Sequence, residues 1–297
     1  MNGERRLSIG TVQFGMAYGV SNRRGQPSLS TVREILETAA AAGIEAIDTA
    51  PVYGCAEQIL QSALPVGHRF RIVTKTAPLG GGIESVVERA RQSHAMLAQL
   101  SQAQLSQGGA PLDGLLVHSA ADLVGPDGPA LWRAMRGLEE DGLFRGIGFS
   151  SYLSDDLLAL AERYRPDMVQ LPLSLLDQRP EQDGILDRLS DLGVEIQARS
   201  VFLQGAAFLQ ASALPASLRH AAPWMAAFHA RLAEANTHPL AAALGYVLAL
   251  RQIERIVVGV TGVDELTAIL AAVSEPPALD WPAYACQDPV LLDPRRW

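Results

Sequence analysis

The stretch Ile44-Glu45-Ala46-Ile47-Asp48-Thr49-Ala50-Pro51-Val52-Tyr53-Gly54 contains the pattern from which the fold and a site can be inferred. The short apolar run from Ile44 to Ile47 is typical of a buried strand, and it ends abruptly at Asp48. Tyr53 follows five residues later, on a turn that Gly54 closes. A carboxylate at a strand end and a phenol on the next loop can face one cleft. Because a free tyrosine has a pKa of about 10, phenol chemistry near neutral pH calls for a nearby cation.

A short apolar strand followed by a helical pattern recurs eight times along the chain. Strands are predicted at Leu7–Phe14, Ile44–Asp48, Phe70–Thr76, Gly114–His118, Arg145–Ser150, Asp167–Pro172, Gly193–Ala198 and Arg255–Val260. Helices are predicted from a cap at Ser30 to a stop at Gly43, and over Ala56–Leu64, Ile83–Gln107, Ala130–Glu140, Asp155–Tyr164, Asp183–Leu192, Pro223–Leu250 and Val263–Val273. Strands that alternate with helices predict a parallel sheet.

Eight such units in a chain of 297 residues match the size of a (β/α)8 TIM barrel. A doubly wound sheet is the main alternative, but no Gly-x-Gly-x-x-Gly turn follows any predicted strand. We therefore predict an α/β protein with a single (β/α)8 barrel domain over residues 1–297. Residues 274–297 form an irregular Pro-rich tail, because five prolines interrupt that segment.

Composition limits the classes of protein to which the chain can belong. There are 24 basic and 32 acidic residues, a net charge of −8, which argues against a nucleic-acid partner. One local pocket could still bind a phosphorylated cofactor. The two cysteines do not make a disulfide framework. No apolar core of signal-peptide length follows the charged stretch Met1–Ile9, and no membrane-length apolar run appears, so we expect neither a signal peptide nor a membrane span. We expect a soluble cytoplasmic protein that does not associate with a membrane.

Three consecutive predicted strands end in residues that carry chemistry. In a (β/α)8 barrel the active site lies at the carboxyl ends of the strands, where Asp48, Lys75 and His118 stand here, with Tyr53 on the first following loop. Each residue alone has an ordinary explanation as a loop cap, a surface ring, a solvated charge or a packed imidazole. Their joint occurrence at adjoining strand ends favours one catalytic site.

The four residues support one another chemically. We expect Asp48 to pair with Lys75, because an unpaired buried cation is costly. We expect the charge of Lys75 to lower the pKa of Tyr53 by favouring the phenolate. His118 can donate a hydrogen bond to a substrate oxygen, and Tyr53 can supply a proton to a carbonyl as general acid.

The motifs Gly10-Thr11-x-x-Phe14-Gly15, Asp48-Thr49-Ala50-x-x-Tyr53-Gly54-x-x-Glu57, Lys75-Thr76 and Leu116-Val117-His118 resemble the signatures of the aldo-keto reductase family. The resemblance extends from about Leu7 to Val273. It implies a barrel that transfers hydride from a nicotinamide cofactor to a carbonyl carbon without a metal, as a monomer or loose homo-oligomer.

The resemblance also implies a set of cofactor-binding residues. Ser150, Ser151 and Gln170 match the positions that hold the nicotinamide carboxamide, although the family usually has Ser-Asn in place of Ser-Ser. The loop that lies along the pyrophosphate corresponds to Ser200, Phe202, Gln204 and Gly205. Before this loop the family often has an aromatic residue that stacks on the nicotinamide, where this chain has Arg199; a guanidinium can also stack.

The segment after the last strand departs most from the family. It contains Gly259, Thr261 and Gly262 but lacks the basic residue and the late Asn that grip a 2′-phosphate. Asp264 and Glu265 would repel that phosphate, yet could accept hydrogen bonds from free ribose hydroxyls. Both side chains also suit the first turn of a helix. The family default is NADP(H), with NAD(H) as the alternative.

The sequence leaves open which substrate the protein binds and whether it is a reductase at all. For a small carbonyl or sugar substrate, we expect Met16, Tyr18, Val52 and Ser119 to line the mouth of the pocket together with the tail. The alternatives to a reductase are a non-catalytic nicotinamide-binding module that senses redox state, and a lyase or aldolase that uses Lys75 as a Schiff base.

Overall fold

Eight strands close into one parallel barrel in the computed structural model, which describes residues 3–98 and 111–297. The strands are β1 (Leu7–Gly10), β2 (Ala46–Asp48), β3 (Arg71–Lys75), β4 (Gly114–Val117), β5 (Ile147–Ser150), β6 (Met168–Pro172), β7 (Glu195–Arg199) and β8 (Ile253–Gly259). Each strand pairs with the next in sequence, and β8 pairs with β1 to close the barrel. The predicted (β/α)8 fold is confirmed.

Helices separate the strands along the chain. Within the described residues they are α1 (Gly3–Arg6), α2 (Val12–Gly15), α3 (Leu29–Ala41), α4 (Ala56–Ala63), α5 (Ile83–Ala98), α6 (Ala121–Val124), α7 (Gly128–Glu140), α8 (Leu157–Tyr164), α9 (Arg179–Gln182), α10 (Ile185–Asp191), α11 (Ala222–Glu234), α12 (Pro239–Ala249) and α13 (Val263–Ser274). The predicted continuation of α5 towards Gln107 lies outside the described residues. Across the described ranges, no helix has both the length and the apolar character to cross a membrane.

The strands are apolar because most of them are buried on both faces. Every residue of β1, β2, β4, β5 and β6 is buried, in keeping with a parallel sheet enclosed by helices. The helices contribute apolar stripes to the same core, as α3 does through Val32, Ile35, Leu36 and Ala39. The packing of the helices around the barrel fixes the positions of the strand ends, where the polar residues occur.

The first predicted strand, Leu7–Phe14, was wrong beyond Gly10. The chain turns at Thr11, whose backbone N–H and hydroxyl each donate to the carbonyl of Asp48 at 3.0 Å. The helical turn α2 follows and ends at Gly15. A Cβ on Gly15 would lie 1.7 Å from the carbonyl oxygen of Tyr53, so α2 can pack there only because this residue is glycine.

The first long helix begins earlier than its predicted cap at Ser30. Ser28 is the N-cap, and its hydroxyl accepts a hydrogen bond from the backbone N–H of Thr31 at 3.1 Å. Ser30 already lies inside the helix and cannot take that role. The predicted stop at Gly43 is confirmed, because Gly43 has a φ of +82° just after the helix.

The tail that follows α13 has two short 3₁₀ turns, Trp281–Tyr284 and Pro294–Arg296. It is attached to the barrel by backbone contacts, including a hydrogen bond from the N–H of Cys286 to the carbonyl of Leu176 at 2.8 Å. Near its end, Arg295 donates to the hydroxyl of Ser154 at 3.1 Å. The tail therefore reaches the loop after β5, on the rim where the strand-end residues lie.

Candidate active site

A buried ion pair joins the ends of β2 and β3. Asp48 lies opposite Val73 in the parallel register, so Asp48 and Lys75 share one face of the sheet. The Nζ of Lys75 donates to both carboxylate oxygens of Asp48 at 2.7 Å and to the carbonyl of Thr49 at 3.0 Å. Lys75 is 1% exposed and Asp48 4% exposed, which makes this a desolvated pair. The pairing expected from the sequence is confirmed.

The loop after β2 brings the phenol of Tyr53 over this pair. Gly54 has a φ of +58°, and a Cβ there would lie 2.3 Å from the carbonyl oxygen of Gly15, so two glycines permit the close approach of loop and turn. The Nζ of Lys75 lies 5.0 Å from the centroid of the Tyr53 ring. The ring of His118, just beyond β4, meets the ring of Tyr53 edge-on with 5.7 Å between centroids. All four predicted residues therefore lie together.

Burial dominates the ionisation of the phenol. It raises the pKa of Tyr53 above its usual value, and the charge of Asp48 adds to the rise, while Lys75 acts in the opposite direction. The expectation that the charge of Lys75 lowers this pKa is confirmed for that one contribution, but the pKa still rises because the loss of hydration is the larger effect. Tyr53 is protonated at neutral pH, which is the form that a proton donor needs.

The imidazole of His118 is neutral at physiological pH. Burial, together with the charge of Lys75, lowers the pKa of His118 to about 4. Its backbone N–H donates to the hydroxyl of Thr76 at 3.1 Å, which fixes the residue beyond the strand end. Its Nδ1 is buried without a hydrogen-bond partner among the described residues. A neutral imidazole has one N–H donor and one acceptor, so it can donate to a substrate oxygen.

The buried polar network continues across the barrel from Asp48. The side-chain amide of Gln170, on β6, donates to the second carboxylate oxygen of Asp48 at 2.7 Å. It also approaches the amide oxygen of Gln197, on β7, at 3.3 Å. Side chains of β3 and β6 thus both bond to the carboxylate of Asp48, which ends β2.

A cavity of about 470 Å³ opens at this end of the barrel. The predicted site residues that line it are Tyr18, Asp48, Tyr53, His118, Ser150, Gln170, Arg199, Ser200, Phe202, Gln204, Gly205, Gly259, Thr261 and Glu265. Of the other predicted site residues, all described, Met16, Val52, Lys75, Ser119, Ser151 and Gly262 are not part of its lining. Lys75 bonds to Asp48 from below the surface of the cavity, whereas Ser119 is exposed outside it.

Arg199 lies on the cavity wall at the end of β7. Its guanidinium carbon is 4.3 Å from the centroid of the Tyr152 ring. It donates to the carbonyl of Ser151 at 3.1 Å and to the hydroxyl of Ser200 at 3.3 Å. Its Nε is buried without a hydrogen-bond partner within residues 3–98 and 111–297. Ser151 thus contributes to this wall through its backbone.

The two acidic residues at the start of α13 are already engaged. Glu265 accepts from the backbone N–H of Thr261 at 2.7 Å and from its hydroxyl at 3.1 Å. Asp264 forms a two-pronged ion pair with Arg24, with both distances 2.7 Å. The guanidinium of Arg24 lies against Gly262, where a Cβ would be 2.6 Å from it.

Sequence patterns did not single out three residues that belong to this region: Gln13, Tyr152 and Arg295. Gln13 lines the cavity, and its Oε1 is a buried acceptor with no partner in the described part of the chain. It fills the space beside Gly259, where a Cβ would lie 2.4 Å from it. The available signal was its position three residues beyond β1. A buried acceptor without a partner suits the hydroxyl groups of a dinucleotide, so the cavity fits a nicotinamide cofactor.

The fold and the site define a (β/α)8 barrel with an ion-paired lysine, a phenol and an imidazole at the carboxyl ends of adjacent strands. The aldo/keto reductase family model matches residues 6–280, and the chain belongs to that family. Members of this family are nicotinamide-dependent oxidoreductases that act on small carbonyl compounds, and this general activity is supported here. No curated protein gives a significant match to the chain.

Solved structures share the fold at low sequence identity. Aldo-keto reductase AKR11C1 from Bacillus halodurans, in its holo form, is 20% identical with a TM-score of 0.68, over 92% of this chain and 88% of that one. Aldose reductase from Giardia lamblia is 19% identical with a TM-score of 0.65, over 94% of this chain and 90% of that one. At this identity the likeness supports the barrel and does not extend to substrate.

Proposed function

We propose that this chain reduces the carbonyl group of an aldehyde, ketone or sugar, or catalyses the reverse oxidation, with Tyr53 as general acid and base. The observation that carries the proposal is the protonated phenol of Tyr53 beside the buried Lys75–Asp48 pair and the neutral His118. A nicotinamide held in this cavity would supply or accept the hydride. The remaining chemistry is proton transfer, which these side chains perform.

Tyr53 gives its hydroxyl proton to the carbonyl oxygen as that oxygen gains negative charge. The charge of Lys75 makes the resulting phenolate less unfavourable, and Asp48 keeps the ammonium in position. His118 donates its N–H to the same oxygen and orients the carbonyl. In the oxidation direction the phenolate of Tyr53 takes the proton back from the alcohol.

The cavity lining supports the assignment of cofactor-binding residues that the family resemblance implies. Ser150 and Gln170 would hold the carboxamide, and Ser200, Phe202, Gln204 and Gly205 the pyrophosphate. Gly259 leaves space for Gln13, whose free acceptor suits a ribose hydroxyl. Ser151 supports this group indirectly, since its carbonyl holds Arg199.

NADP(H) is our first choice of cofactor and NAD(H) the alternative. The guanidinium of Arg24 at Gly262 supplies a basic group near the start of α13, which favours a 2′-phosphate. Asp264 neutralises that guanidinium, and Glu265 is acidic, which favours a free ribose.

Tyr18 offers the substrate a ring surface that suits a sugar or an aromatic aldehyde.

The Schiff-base alternative is disfavoured by the state of Lys75. Burial alone lowers the pKa of Lys75, but the charges and hydrogen bonds of Asp48 and Tyr53 together raise it above its usual value, so the amine is protonated. A protonated amine is not a nucleophile.

Turnover of a simple aldehyde with oxidation of the cofactor would exclude the redox-sensing alternative. A cytoplasmic setting, a monomeric or loosely oligomeric state and the absence of a nucleic-acid partner remain our predictions.

The test combines binding and turnover. NADPH and NADH are titrated side by side by fluorescence into the wild type and Tyr53→Phe, and reduction of a simple aldehyde is then measured. We expect Tyr53→Phe to retain the cofactor affinity of the wild type and to lose about 10²–10⁴-fold in reduction rate. Tyr284→Phe, a buried tyrosine of the tail, should keep both. Retained reduction in Tyr53→Phe would remove Tyr53 from the acid role. Failure of both cofactors to bind below about 1 mM, roughly −4 kcal/mol, would overturn the oxidoreductase proposal.

A further inference from the structure

Arg199 brings an unpaired positive charge to the cavity wall. No acidic side chain of the described residues forms an ion pair with it, and its hydrogen bonds go to the carbonyl of Ser151 and the hydroxyl of Ser200. Those neutral partners leave the charge of the guanidinium uncompensated. Burial of Nε limits its hydration, so the charge acts on whatever occupies the cavity.

The charges that act on the reacting groups leave a positive excess. Tyr53 and His118 each experience the charges of Lys75, Asp48 and Arg199. Lys75 and Asp48 form a close ion pair and largely cancel. Because Lys75 and Asp48 offset each other and His118 is neutral, the charge of Arg199 is the one of these three that stays unbalanced.

Arg199 is also held rigidly in place. Its guanidinium packs over the ring of Tyr152, and the guanidinium of Arg295 packs over the same ring with 3.7 Å to its centroid. Both guanidinium groups therefore contact the same ring. Arg295 differs in one respect, since Asp293 accepts hydrogen bonds from its Nε and Nη2, both at 2.9 Å. One ring thus contacts an uncompensated and a compensated guanidinium.

We propose that Arg199 makes this cavity select the reduced over the oxidised nicotinamide, and so favours carbonyl reduction over alcohol oxidation. The oxidised nicotinamide ring carries a positive charge, whereas the reduced ring is neutral. An uncompensated cation on the wall repels the oxidised ring and leaves the reduced ring unaffected. The same charge favours the phenolate that Tyr53 becomes after it gives up its proton. This inference rests on the proposed function.

The test measures the ratio of two dissociation constants, that of the oxidised cofactor divided by that of the reduced cofactor. Isothermal titration calorimetry gives this ratio for NADP⁺ with NADPH and for NAD⁺ with NADH. We expect Arg199→Gln to lower the ratio by about tenfold, which corresponds to ~1.4 kcal/mol. Arg199→Lys removes the planar surface and the fork of donors but keeps the charge, and it should stay within about twofold of the wild type because the charge sets the ratio.

Arg295→Gln is the matched control. It removes a guanidinium that packs on the same Tyr152 ring but is compensated by Asp293, and it should leave the ratio unchanged. Circular dichroism spectra and thermal melts establish that each variant is folded. An unchanged ratio in Arg199→Gln, or a fall as large in Arg199→Lys as in Arg199→Gln, overturns the inference while the proposed function stands. Absence of any nicotinamide binding in the wild type overturns both.

Discussion

Lys75 shows how one residue depends on its partner. Its ammonium is 1% exposed and uses its hydrogens on the two oxygens of Asp48 and the carbonyl of Thr49. Desolvation of such a pair costs several kcal/mol per ion, which close contact and complete hydrogen bonding have to offset. Removal of one partner leaves the other as a buried charge without compensation. The pair therefore tolerates joint replacement better than single replacement.

A double-mutant cycle on this pair gives the prediction at the residue scale. Lys75→Met should cost about 3–5 kcal/mol of unfolding free energy, because it leaves the carboxylate of Asp48 unpaired. Adding Asp48→Asn should recover at least ~2 kcal/mol relative to the sum of the single costs. Urea unfolding of the four proteins measures both quantities. Additive costs would mean that the two charges do not stabilise each other.

At the scale of elements, Glu57 ties α4 to its neighbours. Its carboxylate is 1% exposed at the start of the helix that follows Tyr53. It accepts from the hydroxyl of Thr74 on β3 at 2.9 Å, from the hydroxyl of Ser93 on α5 at 3.1 Å, and from the guanidinium of Arg89. Thr74 directly precedes Lys75. The network thus joins α4, which follows the loop that carries the phenol, to the strand that carries the ammonium.

Glu57→Gln tests this connection. The amide keeps the shape of the side chain but leaves Arg89 without its charge partner and turns an acceptor into a donor facing a hydroxyl. We expect a loss of about 3 kcal/mol in unfolding free energy. Glu88→Gln on α5 makes the same chemical change at an exposed site and should cost less than about 0.5 kcal/mol. Equal stabilities for the two variants in urea would contradict the role of Glu57.

At the scale of the whole molecule, the buried His68 and the partly buried His118 couple stability to pH. Burial lowers the pKa of His68 and of His118 to about 4, whereas an unfolded chain holds histidine near its usual value of about 6.5. Between these values the unfolded state binds more protons than the folded state, so stability rises with pH. The full contribution is present above about pH 6.5 and is lost as the pH falls towards 4.

Thermal melts across this range test the coupling through His68, which lies before β3 and outside the cavity lining. The wild type should melt at a lower temperature at about pH 5 than at about pH 7. His68→Gln retains an acceptor for the backbone N–H of Phe70 but cannot take up a proton. We expect it to reduce this difference by about 2–4 °C. Parallel curves for the two proteins would rule out His68 as a source of the pH dependence.

The barrel and most of its candidate site could be predicted from the residue pattern. Apolar strands in regular alternation with helices are local patterns, and the position of a residue at a strand end follows from them directly. Asp48, Lys75 and His118 could therefore be assigned to one rim, and Tyr53 to the loop beside them. The family resemblance added Gln170 and the cofactor loops, which no local pattern identifies.

The tertiary structure alone decided what depends on neighbours distant in sequence. Gln170 bonds to Asp48 across the barrel, and Arg295 from the tail packs on Tyr152, because strand closure and tail packing bring these segments together. The rise of the Tyr53 pKa above its usual value also depends on the tertiary structure, since burial outweighs the attraction of Lys75. The residue pattern therefore predicted most of the side chains that meet in the site. Hydration, which sets the ionisation of those side chains, depends on how the whole chain packs around them.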